Sequence, residues 1–245
     1  DSYTNDMTLP SNVKKIGEWA FYGNKCTNLI LNEGLEEISN YAFYKAEFGS
    51  VIKLPKSLKY IGFRAFAKTK KFVVEKLDLE ENSNLEYIRA EAFYETGIKE
   101  VVLPEGLKEV GDKAFYSSKN LKKITFPTTL EKFGLKAFED TAWYNDEVNK
   151  GHFIVANDTL LDASRMTAAD TIPNVKRIAK GAFINIKNIE ELEIPESVEY
   201  IYSYAFYLNG DLKKIKIPGT VKVVEKRGFI FETYYTGGNK DPIHL

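Results

Sequence analysis

The sequence predicts a β-rich solenoid, in which one repeated unit coils and stacks along the chain. Two observations lead to this fold class. An Ala-Phe pair returns at nearly even distances, and seven of the eight prolines return at one fixed place in the same unit. Regular self-similarity with a period of roughly 20–50 residues is typical of repeat architectures. We therefore expect a single domain over residues 1–245, with repeats from about 9 to 231.

The Ala-Phe pair is the most regular part of the unit. Successive phenylalanines follow at intervals of 22, 23, 27, 22, 23, 45, 23 and 23 in the numbering, and the interval of 45 indicates one coil that has lost its signature. A unit of this length cannot bury its apolar side alone, so neighbouring units must stack. We expect the phenylalanines to form an interior column, beside which only a residue as small as alanine fits. The pairs are Ala20-Phe21, Ala42-Phe43, Ala65-Phe66, Ala92-Phe93, Ala114-Phe115, Ala137-Phe138, Ala182-Phe183 and Ala205-Phe206, with a degenerate Gly228-Phe229.

The rest of the unit predicts two short extended segments. In "LKKITF", Ile124 and Phe126 alternate with Lys123 and Thr125, which is the pattern of a half-buried strand. The proline that follows cannot donate to a ladder, so it ends the strand and turns the chain. "LKEV" and its equivalents place two apolar residues inward and predict a second extended segment.

Units such as "LPEGLKEVGDKAFYSSKNLKKITF" resemble the BspA-like leucine-rich repeats of bacterial surface proteins. The resemblance implies an α/β repeat fold, a curved, right-handed leucine-rich-repeat solenoid with a strand-lined concave face. It also implies secretion or surface display, an association with adhesion and protein binding, and no conserved catalytic residues.

Three places depart from the repeat. Two extra residues separate Leu79 from Leu85 and predict a local bulge. Within about 143–171, Phe153 to Val155 and Thr159 to Leu161 predict a β-hairpin insertion, with Trp143 and Tyr144 packed at its base. A projecting recognition element is the alternative interpretation of this hairpin. Residues 232–245 are either a C-terminal cap or a truncated repeat.

Composition and motifs argue against several functional classes. Lys plus Arg (34) nearly balances Asp plus Glu (35), so the net charge of −1 disfavours nucleic acid as a partner. No apolar run approaches the roughly 18–20 residues of a membrane span, and no signal peptide is recognisable in this chain. The lone Cys26 predicts a small buried hydrophobe, while His152 and His244 predict solvated side chains.

No catalytic, cofactor-binding or metal-binding motif is recognisable, so we expect neither an enzyme nor a bound cofactor or metal. Acidic pairs such as Glu36-Glu37, Glu80-Glu81 and Glu190-Glu191 are expected to be solvated. A carbohydrate-active enzyme would instead need two carboxylates about 5–10 Å apart in a cleft.

A solenoid turns each variable strand position into a row of side chains, and two such rows form the candidate partner-binding face. Their mixture of charges and apolar groups has two interpretations, which stay open here: cross-strand pairing that keeps the sheet soluble, or a mosaic that binds protein. The candidate residues are Asn28, Ile30, Val51, Lys53, Lys76, Asp78, Glu100, Val102, Lys123, Thr125, Glu191, Glu193, Lys214 and Lys216.

A second row is aromatic, since tyrosine often follows Ala-Phe. Its members either shield a thin core or add to a binding surface. The row consists of Tyr22, Tyr44, Tyr94, Tyr116 and Tyr207.

The function that the sequence favours is a non-catalytic extracellular or cell-surface module. Its partner would be a protein of the host matrix or a neighbouring cell surface, or a glycan. The alternatives are a passive spacer in a larger surface protein and, from another class, a carbohydrate-active enzyme.

Overall fold

The computed structural model describes residues 6–48, 54–69, 76–79 and 84–229. The bulge predicted between Leu79 and Leu85, the tail 232–245 and His244 fall wholly or mainly outside these ranges. Contacts within the chain separate two compact units, unit 1 (Asp1–Asn149) and unit 2 (Lys150–Leu245). Each unit is described by itself.

The described strands are short, and one short helix accompanies them. In chain order they are β1 (Asp6–Thr8), β2 (Lys15–Ile16), β3 (Lys25–Cys26), β4 (Asn28–Ile30), β5 (Glu37–Ile38), β6 (Glu47–Phe48), β7 (Tyr60–Ile61), β8 (Lys76–Asp78), β9 (Tyr87–Ile88), β10 (Glu100–Val102), β11 (Glu109–Val110), β12 (Lys123–Thr125), β13 (Lys132–Phe133), α1 (Ala142–Val148), β14 (Ile154–Ala156), β15 (Thr159–Asp162), β16 (Arg177–Ile178), β17 (Glu191–Glu193), β18 (Tyr200–Ile201), β19 (Lys214–Lys216) and β20 (Val223–Val224).

Unit 1 is a β-solenoid whose coils pair in parallel. The "LKEV"-type segments form a six-stranded sheet in the order β13-β11-β9-β7-β5-β2, and a three-stranded sheet runs β12-β10-β8. The last apolar residue of each "LKEV"-type segment faces its counterpart in the next coil, so the second extended segment is confirmed. This in-register column is Ile16, Ile38, Ile61, Ile88, Val110 and Phe133.

The phenylalanines of unit 1 form the predicted column. Neighbouring ring centroids lie 5.0 to 5.4 Å apart and the ring planes differ by 1° to 15°. The backbone follows the same stacking, because the Phe43 amide donates to the Ala65 carbonyl of the next coil at 2.8 Å. Ala42 and Ala65 are fully buried, as a position beside the column requires. The column is Phe21, Phe43, Phe66, Phe93, Phe115 and Phe138.

The prolines turn the chain, as predicted. Each carbonyl of Pro10, Pro55 and Pro104 accepts the amide three residues later, at 3.1 to 3.2 Å. This hydrogen bond closes a β-turn directly after the strand position. The fixed place of proline in the unit therefore marks one corner of these coils.

Unit 2 stacks the same way but begins differently. Its five-stranded sheet runs β14-β15-β16-β18-β20, in which only β14 and β15 are antiparallel. They are joined by Asn157 and Asp158, whose φ angles of 47° and 53° suit a tight hairpin turn. These two residues make the tight turn between β14 and β15. The second strand, β15, also pairs in parallel with β16, so it belongs to the ladder of coils.

The coil that lost its signature is the one that contains β15. Ala163 donates its amide to the Ala182 carbonyl at 2.7 Å, which is the bond that a column phenylalanine makes in other coils. Ala163 therefore takes the phenylalanine position. The coil is also short, since the step from Leu160 to its partner Ile178 is smaller than the step from Ile178 to its partner Ile201.

Trp143 and Tyr144 lie in α1, a helix that the sequence analysis did not predict. Thr141 caps it, since its hydroxyl oxygen accepts the Tyr144 amide at 3.0 Å. The Trp143 ring packs edge-on against Phe126 and Phe138, at 5.6 and 5.7 Å between centroids. Trp143 thus covers the last phenylalanine of the unit 1 column, and its predicted place at the base of the hairpin stays a prediction. None of the described helices is long and apolar enough to cross a bilayer.

Candidate binding face

Twelve of the fourteen predicted face residues lie on strands, and we call these twelve the strand face. They occupy the first and last positions of β4, β8, β10, β12, β17 and β19. Val51 and Lys53 lie outside the described residues. The structure brings the twelve together in three sheets, β1-β4, β12-β10-β8 and β17-β19, in register within each sheet.

Strand alternation explains which side chains face solvent. The central residue of each strand points inward, as for Leu77, which is 2% exposed, and its neighbours point outward. Ile30 is the most exposed apolar member at 56%. Val102 departs from the expectation because it is only 9% exposed, on the central strand of its sheet. It contributes little accessible surface.

The charges of the strand face pair with one another. Lys123 lies 2.9 Å from Glu100 on the neighbouring strand, Lys214 lies 3.2 Å from Glu191, and Lys216 pairs with Glu193. Lys76 pairs with Asp78 along its own strand at 2.7 Å. Such exposed pairs stabilise the fold only slightly, since water and salt screen them. Cross-strand pairing, the first of the two interpretations, is therefore present, and it leaves the binding interpretation untouched.

Pairing also perturbs the basic groups. The hydrogen bond from Lys216 to the Glu193 carboxylate raises the pKa of the lysine. The same arrangement recurs outside the strand face, where the bond from Lys108 to Glu86 raises the pKa of Lys108. Coil-to-coil Lys–Glu pairs are thus a general feature of both units, and they do not by themselves mark a binding site.

The aromatic row stacks coil on coil at the surface. Tyr22 and Tyr44 lie 5.9 Å apart, and Tyr94 and Tyr116 lie 5.6 Å apart, both nearly parallel. Tyr22 is 51% exposed, while the other three are half-buried. Half-burial agrees with shielding for these three rings. Tyr22 keeps a ring open to solvent.

Three predicted features of possible chemistry have defined places. Cys26 is buried, and burial raises the pKa of its thiol, as expected of a small hydrophobe. His152 is exposed, as predicted, and its Nδ1 also lies 2.7 Å from Asp170. Glu36 and Glu37 are partnered by lysines of neighbouring coils. In the described ranges, no group of three or more His, Cys, Asp and Glu side chains is placed to hold a metal ion.

Sequence reasoning missed a groove in unit 2. It runs between the segment Met166–Asn174 and strand β17, and it has a volume of about 300 Å³. Its lining includes Asp170, Glu191, Glu193 and Glu196 and no Lys or Arg. The sequence signal that could have found it is the interval of 45 between phenylalanines, because an irregular coil leaves a strand of the next coil without a hydrogen-bonded neighbour.

The family model for the BspA-type leucine-rich repeat region, with six copies, matches residues 1–82, 72–157 and 156–236. Among solved structures, the chain is similar to a leucine-rich cell surface protein of Faecalibacterium prausnitzii. The two share 20% identity over 90% of this chain and 71% of that one, with a TM-score of 0.45.

A leucine-rich repeat protein of Bacteroides ovatus shares 18% identity over 88% of this chain and 61% of its own, with a TM-score of 0.40. The pneumococcal vaccine antigen PcpA shares 18% identity over 88% and 66%, with a TM-score of 0.37. The chain spans 61% of the B. ovatus structure and 61% of the Treponema pallidum leucine-rich repeat structure. No curated protein sequence matches the chain.

Proposed function

This chain belongs to the BspA-type leucine-rich repeat family, and on that premise we propose that it is a non-catalytic binding module, displayed outside the cell, that presents the strand face to a protein or glycan. The observation that carries the proposal is the registered surface of β8, β10 and β12, where outward side chains of three coils share one side of a sheet. Repeat proteins use such extended surfaces for binding.

The proposal includes the handedness, curvature and domain organisation of the solenoid. We infer a right-handed, curved solenoid in which both units form one domain, with residues 143–171 as a hairpin insertion. The strand face would then line the concave side. We further infer a location on the cell surface or in the extracellular medium.

A charge exchange tests the strand face without breaking its ion pair. A lone Lys123→Glu would set a carboxylate against Glu100 and disturb stability together with binding. The double variant Glu100→Lys/Lys123→Glu keeps the pair and inverts the surface pattern. Glu86→Lys/Lys108→Glu is the matched control, because that pair is 2.7 Å long and lies outside the strand face.

The measurement is capture from a panel of matrix proteins, cell-surface proteins and glycans, together with the melting temperature. We expect the wild type to retain at least one ligand, the Glu100/Lys123 exchange to weaken it about tenfold, and the control exchange to leave it unchanged. All three proteins should melt at closely similar temperatures, since each keeps its ion pair. Equal binding by both exchanged variants would remove the strand face from the proposal.

A passive spacer is the second candidate function. The observation that favours it is that the acidic members of the strand face already have basic partners, as Glu191 has Lys214. Absence of any captured ligand in the panel would support the spacer and contradict the binding module. A close pair of carboxylates whose pKa values are driven apart would be needed for a carbohydrate-active enzyme.

A further inference from the structure

Strand β17 has one paired edge and one open edge. On the paired side it runs parallel to β19, with Glu191 opposite Lys214 and Glu193 opposite Lys216, and the Ile194 amide donates to the Lys216 carbonyl. In a parallel ladder, alternate residues direct their amides and carbonyls to opposite neighbours. Glu191 and Glu193 therefore direct theirs away from β19. Among the described residues, no main-chain hydrogen bond joins them to Met166–Asn174.

The chain itself explains why the preceding coil leaves this edge open. That coil is the short one, in which Leu160 is already paired with Ile178. Asp170 then folds the segment into a turn: its carboxylate accepts the amide and hydroxyl of Thr167, and its own amide donates to the Thr167 carbonyl at 3.1 Å. His152 holds the same carboxylate at 2.7 Å. Backbone that is committed to a local turn cannot also pair with β17.

The regular coils show what a complete neighbour looks like. In unit 1, the Leu79 amide donates to the Val102 carbonyl, so β10 is paired on the side that corresponds to the open edge of β17. An unpaired edge that lines a groove is a template for strand addition. The groove beside β17 supplies this template within unit 2.

The other edge of β17 shows which sequence fits. Its partner β19 reads Lys-Ile-Lys, which places two lysines opposite Glu191 and Glu193 and an apolar residue opposite Leu192. The open side carries further negative charge, since Asp170 and Glu196 also line the groove. One glutamate can serve lysines from both sides, as Glu36 does with Lys14 at 3.9 Å and Lys59 at 2.7 Å.

We propose that the groove binds an extended peptide of the pattern Lys-apolar-Lys, which adds to the open edge of β17 as a further parallel strand. Main-chain hydrogen bonds to Glu191 and Glu193 would hold the peptide backbone, and the acidic lining would select its lysines. This inference names the chemistry of a partner for one strand of the strand face, β17, and so rests on the proposed function.

The probe is a capped, fluorescent peptide with the sequence of residues 210–219, GDLKKIKIPG, which contains β19. Binding is followed by anisotropy, and the contact is located by amide chemical shifts in labelled protein. We expect saturable binding with shifts centred on Glu191 to Glu193. A peptide with proline in place of the central isoleucine lacks one ladder amide and should bind at least tenfold more weakly. A peptide with glutamates in place of its lysines should not bind.

The matched protein variants are Glu191→Gln/Glu193→Gln and the control Glu190→Gln. All three glutamates are exposed and paired with lysines, but only Glu191 and Glu193 line the groove. We expect about a tenfold loss of peptide affinity in the double variant and no loss in the control. Equal binding of the proline peptide, or equal loss in the control, would overturn the inference.

The outcome is separable from that of the proposed function. The Glu100→Lys/Lys123→Glu exchange lies in unit 1 and should leave peptide binding unchanged. If the peptide fails to bind while the exchange still weakens capture of a ligand, the groove is wrong and the strand face stands. If the peptide binds and the exchange has no effect on capture, the groove stands alone.

Discussion

The regular coils of unit 1 and the short coil of unit 2 use the same backbone ladder with different results. In unit 1, each phenylalanine from Phe43 to Phe115 lies between two others, and the six-stranded sheet continues through every coil. In the short coil, Ala163 replaces the phenylalanine and one strand position becomes a turn. The ladder through β15 survives, but the edge of β17 is left open.

This difference separates two roles of the repeat. Backbone pairing between the "LKEV"-type strands persists in the short coil, where the side-chain signature has gone. Pairing at the second strand position, which β17 occupies in its own coil, depends on coil length, because a shortened coil cannot supply both strands. Loss of regularity thus creates a candidate binding site without interrupting the stack of unit 2.

The largest expected effect tests the column itself. Phe93 and Phe183 are both fully buried, but Phe93 stacks on two rings and Phe183 stacks on Phe206 alone among the described residues. Phe93→Ala should lower the free energy of unfolding by about 3–5 kcal/mol. Phe183→Ala should lower it by about 0.5–1.5 kcal/mol less, which is the value of one aromatic pair. Urea denaturation measures both, and a larger loss for Phe183→Ala would break the comparison.

The next effect concerns how closely coils approach. The residue after the inward apolar position is glycine in several coils of unit 1, among them Gly62, whereas unit 2 places Ala179 and Tyr202 there. A Cβ on Gly62 would lie 2.6 Å from the Asn40 nitrogen of the preceding coil. Gly62→Ala should therefore cost about 2–3 kcal/mol of unfolding free energy, since backbone must move.

Gly17→Ala is the control for this substitution. Gly17 holds the same place in its own coil, after Ile16, but a Cβ there meets nothing within 4 Å. The substitution should leave stability unchanged or raise it by up to about 1 kcal/mol through the unfolded chain. The measurement is again urea denaturation. If Gly62→Ala and Gly17→Ala changed the free energy of unfolding equally, the coils would not approach each other more closely at Gly62 than at Gly17.

The smallest expected effect is on the pH dependence of stability, and it should be the same in the two units. A hydrogen bond from Lys59 lowers the pKa of Glu36 in unit 1, and a hydrogen bond from Lys222 lowers the pKa of Glu199 in unit 2. A carboxylate with a lowered folded pKa stabilises the protein above its unfolded pKa of about 4.3, and this contribution is lost as the pH falls through the folded pKa. Glu36→Gln and Glu199→Gln should each slightly reduce the loss of stability between about pH 7 and pH 3, measured by urea denaturation at each pH. A reduction confined to one unit would show that the pairs are not equivalent.

Much of the fold could be predicted because it depends on residue types that recur at fixed distances along the chain. The Ala-Phe pairs placed the column, the alternation in "LKKITF" placed β12, and the prolines placed the corners. The α1 helix was missed because its signal is a single cap, Thr141, before one short run. The pairing of His152 with Asp170 was missed because a hairpin and a turn separate them in the sequence.

The candidate face was predictable as a set of positions and less so as a surface. Strand alternation correctly placed Lys123 and Thr125 outward, but Val102 is buried by its position on a central strand. The Lys–Glu pairs were anticipated as one interpretation, since opposite charges recur at the repeat distance. Which lysine meets which glutamate depends on the register between coils.

The sequence alone determined the repeat, the apolar ladder and the corner where each coil turns, because these follow from residue types at fixed spacing within one unit. The tertiary structure decided which backbone edge is left unpaired and which charges are neutralised. Those properties depend on which residues of neighbouring coils come into contact, and one short coil is enough to change these contacts.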